Sequence, residues 1–445
     1  MYNLAIIGGG PAGYVAAERA GKAGLRVVLF EKKELGGVCL NEGCIPTKTL
    51  LHSAKLLEQT KHADKFGIGT EGISFDYSRI QARKDKVVKK LVGGIKVSMR
   101  NAGVTVIKAE ARIEGGSTGG FTLRADGEEY IAEKILLCPG SRTFVPDIEW
   151  LRPYEDKIIT STEALSLNEV PETLSIVGGG VIGMEFAGLF SAMGSRVTVY
   201  ELQDEILGTM DREVAATLRG IYASRGVKFV LGGTPEDKSD LAASARILLC
   251  VGRKPNTENL GFETLGIALD KRSAVTVDEH MRTNVSGIYA AGDVTGKFML
   301  AHVASREAEV AVADILGTED RMTYDAIPSV VYTIPELASI GLTEQQAQSQ
   351  GIGYGVKALP LTYSGKFVAQ TERETGLCKI LYDKADDKVI GVHILGGPCS
   401  EIISACCVAM QHGMTTDMLR RLILPHPSVG EIIKEVSWSD DIPSK

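Results

Sequence analysis

The feature that most constrains this chain is an internal repeat. LAIIGGGPAGYVAAERAGKAGLRVVLFEK, from Leu4 to Lys32, is matched by LSIVGGGVIGMEFAGLFSAMGSRVTVYEL, from Leu174 to Leu202, at a constant offset of 170. Each copy reads as a short apolar strand, a glycine turn, a helical stretch and a second β-branched strand ending in an acid, Glu31 or Glu201. Such a strand–helix–strand unit demands a parallel sheet with its crossover helix packed on one face. Two copies demand two such sheets.

The glycines say what the units hold. Gly8, Gly10 and Gly13, and likewise Gly178, Gly180 and Gly183, fit G-x-G-x-x-G between a strand and a helix. In that pattern the first glycine allows a tight turn, the second lets backbone approach a pyrophosphate, and the third lets helix and strand pack closely. The helix N-terminus then stabilises the anion, so a chain of net charge −7 binds a dinucleotide without a basic patch. Glu31 and Glu201 stand where a carboxylate receives adenosine ribose hydroxyls. Glu201 has no adjacent arginine and so favours NAD over NADP, although Arg196 and Arg212 are near in sequence.

A second repetition closes each unit: KILLCPGSR (Lys134 to Arg142) and RILLCVGRKPN (Arg246 to Asn256). GIYAAGDVTG follows, another strand, ending in Gly-Asp, and then the helical run LAHVASREAEVAVADIL. Asp293, at a strand end beside a cofactor crevice, suits a hydroxyl-rich ligand; its other reading is a turn cap. The first unit is thus resumed after the second. From about Asp325 the pattern turns to alternating strands, with a turn at Asp386-Asp387 and a helical stretch EIISACCVAMQHGM. The expected fold is α/β: two Rossmann-like domains, one inserted in the other, and a C-terminal α+β domain. The expected boundaries are 1–143, 144–267, 268–324 and 325–445.

No dense basic run with aromatics points to nucleic acid, and no apolar run approaches the roughly eighteen residues of a membrane span. The first strand begins almost at the N-terminus and leaves no room for a leader, so the expected compartment is the cytoplasm. There the eight cysteines do not read as a disulfide framework, and Cys138, Cys250, Cys406 and Cys407 read as core. Cys39 and Cys44, in GGVCLNEGCIPTK, differ. They follow the first unit directly, and GCIPTKTLLHSAKLL opens a helix, where a thiolate is favoured. Their spacing is poor for zinc, and no second pair supplies ligands. A redox pair beside a bound cofactor is the best reading, and two unrelated core thiols the other. Among the histidines, His426 is pinned between Pro425 and Pro427, with Glu431 five residues on to orient it. Its other reading is polar surface.

With these residues assembled, the chain resembles over nearly its full length the flavin-dependent pyridine-nucleotide disulfide reductases, and most closely their dihydrolipoyl-oxidising branch. The matching segments are GGGPAG with Glu31, GGVCLNEGCIPTK, ITSTEALSL, GGGVIGMEFAG with Glu201, VGRKPN, IYAAGDVTG, LAHVA and HPSVGEIIKEV. The resemblance implies FAD on Gly8, Gly10, Gly13 and Glu31, with Lys48, Ala111, Asp293 and Ala301 completing that site. It implies NAD on Gly178, Gly180, Gly183, Glu201 and Gly252. It casts Cys39 as the interchange thiol and Cys44 as the thiol beside the flavin. Lys48 paired with Glu185 would lie near flavin N5, and His426 with Glu431 would be the base. It implies a homodimer, in which His426 serves the disulfide of the other subunit, with the last domain as the dimerisation domain. The implied partner is a lipoyl-bearing protein of a 2-oxo acid, acetoin or glycine-cleavage complex.

Some residues depart from the family pattern. VLGGTPEDKSDLAASARILLC is short where a strand meander is usual. Leu424 stands where a histidine is common, and Cys138-Pro139 where Thr-Gly is common. A mercuric reductase would end in paired cysteines, which the tail lacks. A redox-silent FAD-binding subunit would need neither Cys39, Cys44 nor His426.

Overall fold

A computed structural model describes residues 1–117, 119–371 and 374–441. The first sheet runs Thr105–Ile107, Val27–Phe30, Tyr2–Ile7, Glu128–Leu137, Gly120–Ala125, Ala111–Ser117, and Ile288–Ala290 pairs with Glu128–Leu137. Its dinucleotide half is parallel, and the last three strands of the path form an antiparallel meander. Val27–Phe30 is buried at every position, because both faces of this half are covered. Leu4 and Ile6 cluster with Ala16, Ala20 and Ala308 of the flanking helices. Ala5 and Ile7 cluster with Phe121 and Leu123 of the meander.

The second sheet runs Lys228–Leu231, Arg196–Glu201, Thr173–Val177, Arg246–Leu249, Ile158–Ile159, all parallel. Where the first unit inserts its meander, the second has the short helix Ser239–Ala243, which accounts for the shortened 231–245 stretch. The two units are joined by an antiparallel pair, Ser141–Thr143 with Arg253–Pro255. Residues 256–267, expected within the second unit, pack on the first instead. Leu260, Phe262 and Ile267 cluster with Ile113 and Phe121, and the Ile113 N–H donates to the Leu260 carbonyl at 2.9 Å. The apolar face of this segment covers the meander.

The third domain is an antiparallel sheet in the order Pro328–Val331, Leu337–Gly341, Val389–Leu395, Leu377–Asp383, Tyr354–Pro360. Helices Cys399–Gln411 and Ile432–Trp438 cover one face through Cys378, Ile380, Ile403, Cys406 and Ile433. The turn expected at Asp386-Asp387 is there, with Asp387 at φ 61°. Cys138 and Cys406 are buried as expected of core, whereas Cys250 and Cys407 are only half-buried. The last residues of the expected third domain, 442–445, lie outside the described residues. Among the described residues no helix is long and apolar enough to cross a membrane.

Candidate active site

The two fingerprint turns are near copies. Gly8 and Gly178 take φ of 104° and 109°, the left-handed region that glycine tolerates. A Cβ on Gly13 would lie 1.8 Å from the Gly8 carbonyl oxygen, and one on Gly183 would lie 2.0 Å from that of Gly178. A Cβ on Gly180 would meet nothing, and one on Gly10 only the Gly37 Cα at 3.8 Å, so both turns are open on the side where a phosphate approaches. Helices Pro11–Lys22 and Val181–Ala192 begin at these glycines without a side-chain cap, and neither has an acid in its first turn. Helices Tyr77–Asn101 and Arg212–Ser224, by contrast, are capped by Asp76 and Asp211. Uncapped N–H groups over an open glycine turn fit a pyrophosphate at both sites.

Each terminal acid is held by backbone. Glu31 accepts the Gly9 N–H at 2.8 Å and the Lys33 N–H at 2.7 Å. Glu201 accepts the Gly179 N–H at 2.7 Å and the Gln203 N–H at 2.9 Å. Near Glu201, Arg212 is bound in bidentate fashion to Asp204 and Arg196 is bound to Glu172. Both guanidinium groups are therefore engaged away from a ribose 2′-phosphate. Gly252 lies in the turn after Arg246–Leu249 at φ 121°. Ala111 opens the meander close in sequence to Lys108, which lines a hollow together with Glu31, Lys33 and Arg100.

Asp293 follows Ile288–Ala290 and accepts the Ser141 hydroxyl. Arg253 donates to that hydroxyl oxygen at 2.7 Å and to the Ser141 carbonyl at 2.8 Å, and its Nε is 4.0 Å from Asp293. The helix starting at Ala301 has no side-chain cap and no acid in its first turn. Its free N–H groups and the Asp293 carboxylate suit the edge of a polar ring and its hydroxylated chain.

Cys39 lies in the short helix Gly37–Asn41, and Cys44 is the first residue of Cys44–Lys61. Both are half-buried, and each thiol is the strongest influence on the other's titration. Cys39 lowers Cys44, and Lys48 assists against burial. Cys39 is pushed up by Cys44 and by burial. One turn beyond Cys44, the Lys48 ammonium meets both carboxylate oxygens of Glu185 at 2.8 Å. Glu185 comes from helix Val181–Ala192 of the second unit and is almost wholly buried. A buried carboxylate needs this partner, because loss of either ion leaves an uncompensated charge.

His426 lies on the third domain with its side chain 81% exposed, and its Nδ1 is 3.0 Å from Glu431 Oε1. The other Glu431 oxygen accepts the Ser428 N–H at 2.8 Å. The fold thus brings Cys39, Cys44, Lys48 and Glu185 together and puts His426 with Glu431 elsewhere on the surface. Four residues near the site carried no sequence signal of their own: Ser141, Arg253, Glu307 and Tyr332. Ser141 and Arg253 lie in the paired closing motifs, and Glu307 breaks an apolar helix face otherwise made of Val303, Ala304, Ala308 and Ala311.

A family model described as pyridine nucleotide-disulphide oxidoreductase matches residues 2–308, and its dimerisation-domain counterpart matches 327–437. A protein of Chlamydia muridarum named dihydrolipoyl dehydrogenase is 38% identical over 448 residues, covering 98% of this chain and 96% of that protein. One of Geobacillus stearothermophilus with the same name is 35% identical, covering 97% and 94%. Among solved structures, LpdA from Mycobacterium tuberculosis superposes with a TM-score of 0.88 at 27% identity, covering 98% of this chain and 99% of that one. The HOCl-induced flavoprotein disulfide reductase RclA from Escherichia coli gives 0.86 at 30% identity, with the same coverage.

Proposed function

Because this chain belongs to the pyridine nucleotide-disulphide oxidoreductase family, we propose that it is a dihydrolipoyl dehydrogenase that oxidises protein-bound dihydrolipoyl groups at Cys39 and Cys44. The observation that carries the reading is the setting of Cys44, which opens helix Cys44–Lys61 and has Lys48, paired with the buried Glu185, one turn on. A helix N-terminus and a nearby ammonium both favour its thiolate, so Cys44 is the better leaving group and Cys39 the sulfur to be attacked.

In the oxidised state the two cysteines form a disulfide. One substrate thiol gives its proton to His426, which Glu431 orients through Nδ1. Its thiolate attacks the Cys39 sulfur, the Cys39–Cys44 bond breaks, and Cys44 leaves as a thiolate that Lys48 faces. The second substrate thiol then attacks the substrate sulfur of the mixed disulfide, its proton passing to the departing Cys39 thiolate, so that oxidised lipoyl and the Cys39 thiol are released. FAD, held by Gly8, Gly10, Gly13, Glu31, Lys48, Ala111, Asp293 and Ala301, supplies when bound the two-electron route from the dithiol to NAD+. NAD+ is held by Gly178, Gly180, Gly183, Glu201 and Gly252, and the engagement of Arg196 and Arg212 supports NAD over NADP.

His426 acts on the cysteine pair of a second copy, so the working unit is a homodimer. An apolar groove of about 520 Å³ beneath its loop, lined by Ile402, Cys406, Leu424 and Ile433, supports this, as does Ile423 at 98% exposed. The partner is a lipoyl-bearing protein of a 2-oxo acid, acetoin or glycine-cleavage complex, and the compartment is the cytoplasm, where a reducing medium leaves such a pair free for catalysis.

The test is anaerobic. Dihydrolipoamide added to the purified protein is expected to produce a long-wavelength thiolate–flavin band, and NAD+ added next to yield NADH. Cys44→Ser is expected to keep FAD and fold while losing lipoyl turnover. Undiminished turnover by that variant would sink the assignment.

A further inference from the structure

Tyr332 follows the first strand of the third domain, Pro328–Val331, and meets residues of both dinucleotide units. The Lys48 ammonium lies 4.6 Å from the centre of its ring. Its backbone N–H donates to Glu185 Oε1 at 3.1 Å. Lys48 from the first unit, Glu185 from the second and Tyr332 from the third therefore converge on one charge pair. We propose that Tyr332 is a positioning residue for the thiol chemistry, its ring and its N–H together fixing the Lys48–Glu185 pair where it faces Cys44.

The need for such a residue follows from Lys48 itself. Its side chain keeps 30% exposure, and a lysine has four torsions through which to swing its ammonium into water. The two bonds to Glu185 fix the distance between the charges but leave the ammonium free to pivot about the carboxylate. An aromatic face supplies the third constraint, and a cation over a ring in a part-dehydrated site is firmly held. The carboxylate is fixed separately by a backbone donor that no side-chain change at 332 removes. Among the described residues the Tyr332 hydroxyl has no hydrogen-bond partner, so the ring, not its oxygen, is what the site uses.

The charged and titratable groups facing Cys44 are Cys39, Lys48, Glu185, Arg253, Tyr14 and Tyr332. Only Lys48 and Arg253 are cations, and Arg253 is already bonded to Ser141. Lys48 is therefore the cation whose position is open to control, and Glu185 acts on Cys44 in the opposite sense. A Lys48 released toward solvent leaves the Cys44 thiolate less supported.

This inference rests on the reading of Cys44 as the thiol beside the flavin, and the test separates the two. The long-wavelength band of the two-electron-reduced holoenzyme is titrated against pH for the unaltered protein, Tyr332→Phe and Tyr332→Leu, with bound FAD measured in each. The Phe variant is expected to keep the unaltered midpoint, and the Leu variant to titrate about half a pH unit higher. A Leu midpoint equal to that of the unaltered protein overturns the proposal. So does a Phe variant that shifts as far as Leu, because the effect then belongs to the hydroxyl. If Tyr332→Leu loses FAD, Tyr332→Met is titrated in its place under the same criterion. Absence of the band from the unaltered protein overturns the underlying reading of Cys44, a result distinct from an unmoved midpoint.

Discussion

Glu307 is wholly buried on helix Ala301–Ile315, where its carboxyl accepts the Gly292 N–H at 2.6 Å and the Tyr324 hydroxyl at 2.7 Å. Burial pushes it up to about 7, outweighing both hydrogen bonds. The folded protein therefore binds this proton more tightly than the unfolded chain does. Stability from Glu307 is full below its unfolded value of 4.5 and is lost as pH rises toward about 7. Glutamine keeps an acceptor for Gly292 and offers a donor to Tyr324, but has no charge to bury. Glu307→Gln is expected to match the unaltered protein in urea at about pH 4 and to gain about 1–3 kcal/mol at about pH 8. Equal urea midpoints at pH 8 would show that the carboxyl is not strained there. At this scale Cys39, Cys44 and His426 were legible as candidates because their neighbours in sequence mark them. Glu307, Ser141, Arg253 and Tyr332 were not, because their partners lie on strands and helices distant in sequence.

At the scale of elements, the same strand–turn–helix unit is used twice with one carboxylate at the same corner. Glu201 closes the second turn by accepting the Gly179 and Gln203 N–H groups, which aims its remaining lone pairs outward. Glu201→Ala removes a charged acceptor, which is worth about tenfold to hundredfold in NAD+ affinity. It is expected to raise the KM for NAD+ by that factor without making NADP+ a good substrate, since Arg196 and Arg212 keep their acidic partners. Steady-state assays with both nucleotides check this, and efficient NADP+ use by the unaltered protein would refute the preference. The units themselves were legible because glycine spacing and hydrophobic period agree in both copies. The end of the second unit was not. The segment around Phe262 is a short amphipathic piece, and its pattern does not say which of two nearby sheets its apolar side will cover.

Across the whole molecule, the third domain is fastened to the second unit by a buried ion network. The fully buried Lys379 ammonium bonds Asp211 at 3.0 Å, Glu213 at 3.1 Å and also Glu344. Asp211 in turn caps the helix Arg212–Ser224 through the Glu213 N–H and also accepts the Glu344 N–H of a third-domain helix that Thr343 caps, so a single carboxylate bonds helix starts in two domains. The insertion of one domain in another could be read from the repeat, but this fastening could not. In GLCKILYD, Lys379 shares a strand face with Leu377 and Leu381, and its partners Asp211, Glu213 and Glu344 lie on other elements distant in sequence. Burial works against both charges, yet His393 and Lys379 hold Asp211 low, and Asp211 and Glu344 hold Lys379 high. The network therefore persists across neutral pH, failing as pH falls through the lowered carboxyl or rises through the raised ammonium. Lys379→Met leaves three carboxylates facing one another and is expected to cost about 3 kcal/mol at pH 7. Asp211→Asn keeps the helix cap while removing one of those charges, so the double variant Lys379→Met/Asp211→Asn is expected to recover part of that loss. A double-mutant cycle in urea measures the coupling. Additive losses would mean that Lys379 and Asp211 stabilise the domains independently, and that the contact between the second unit and the third domain is held by packing rather than by charge.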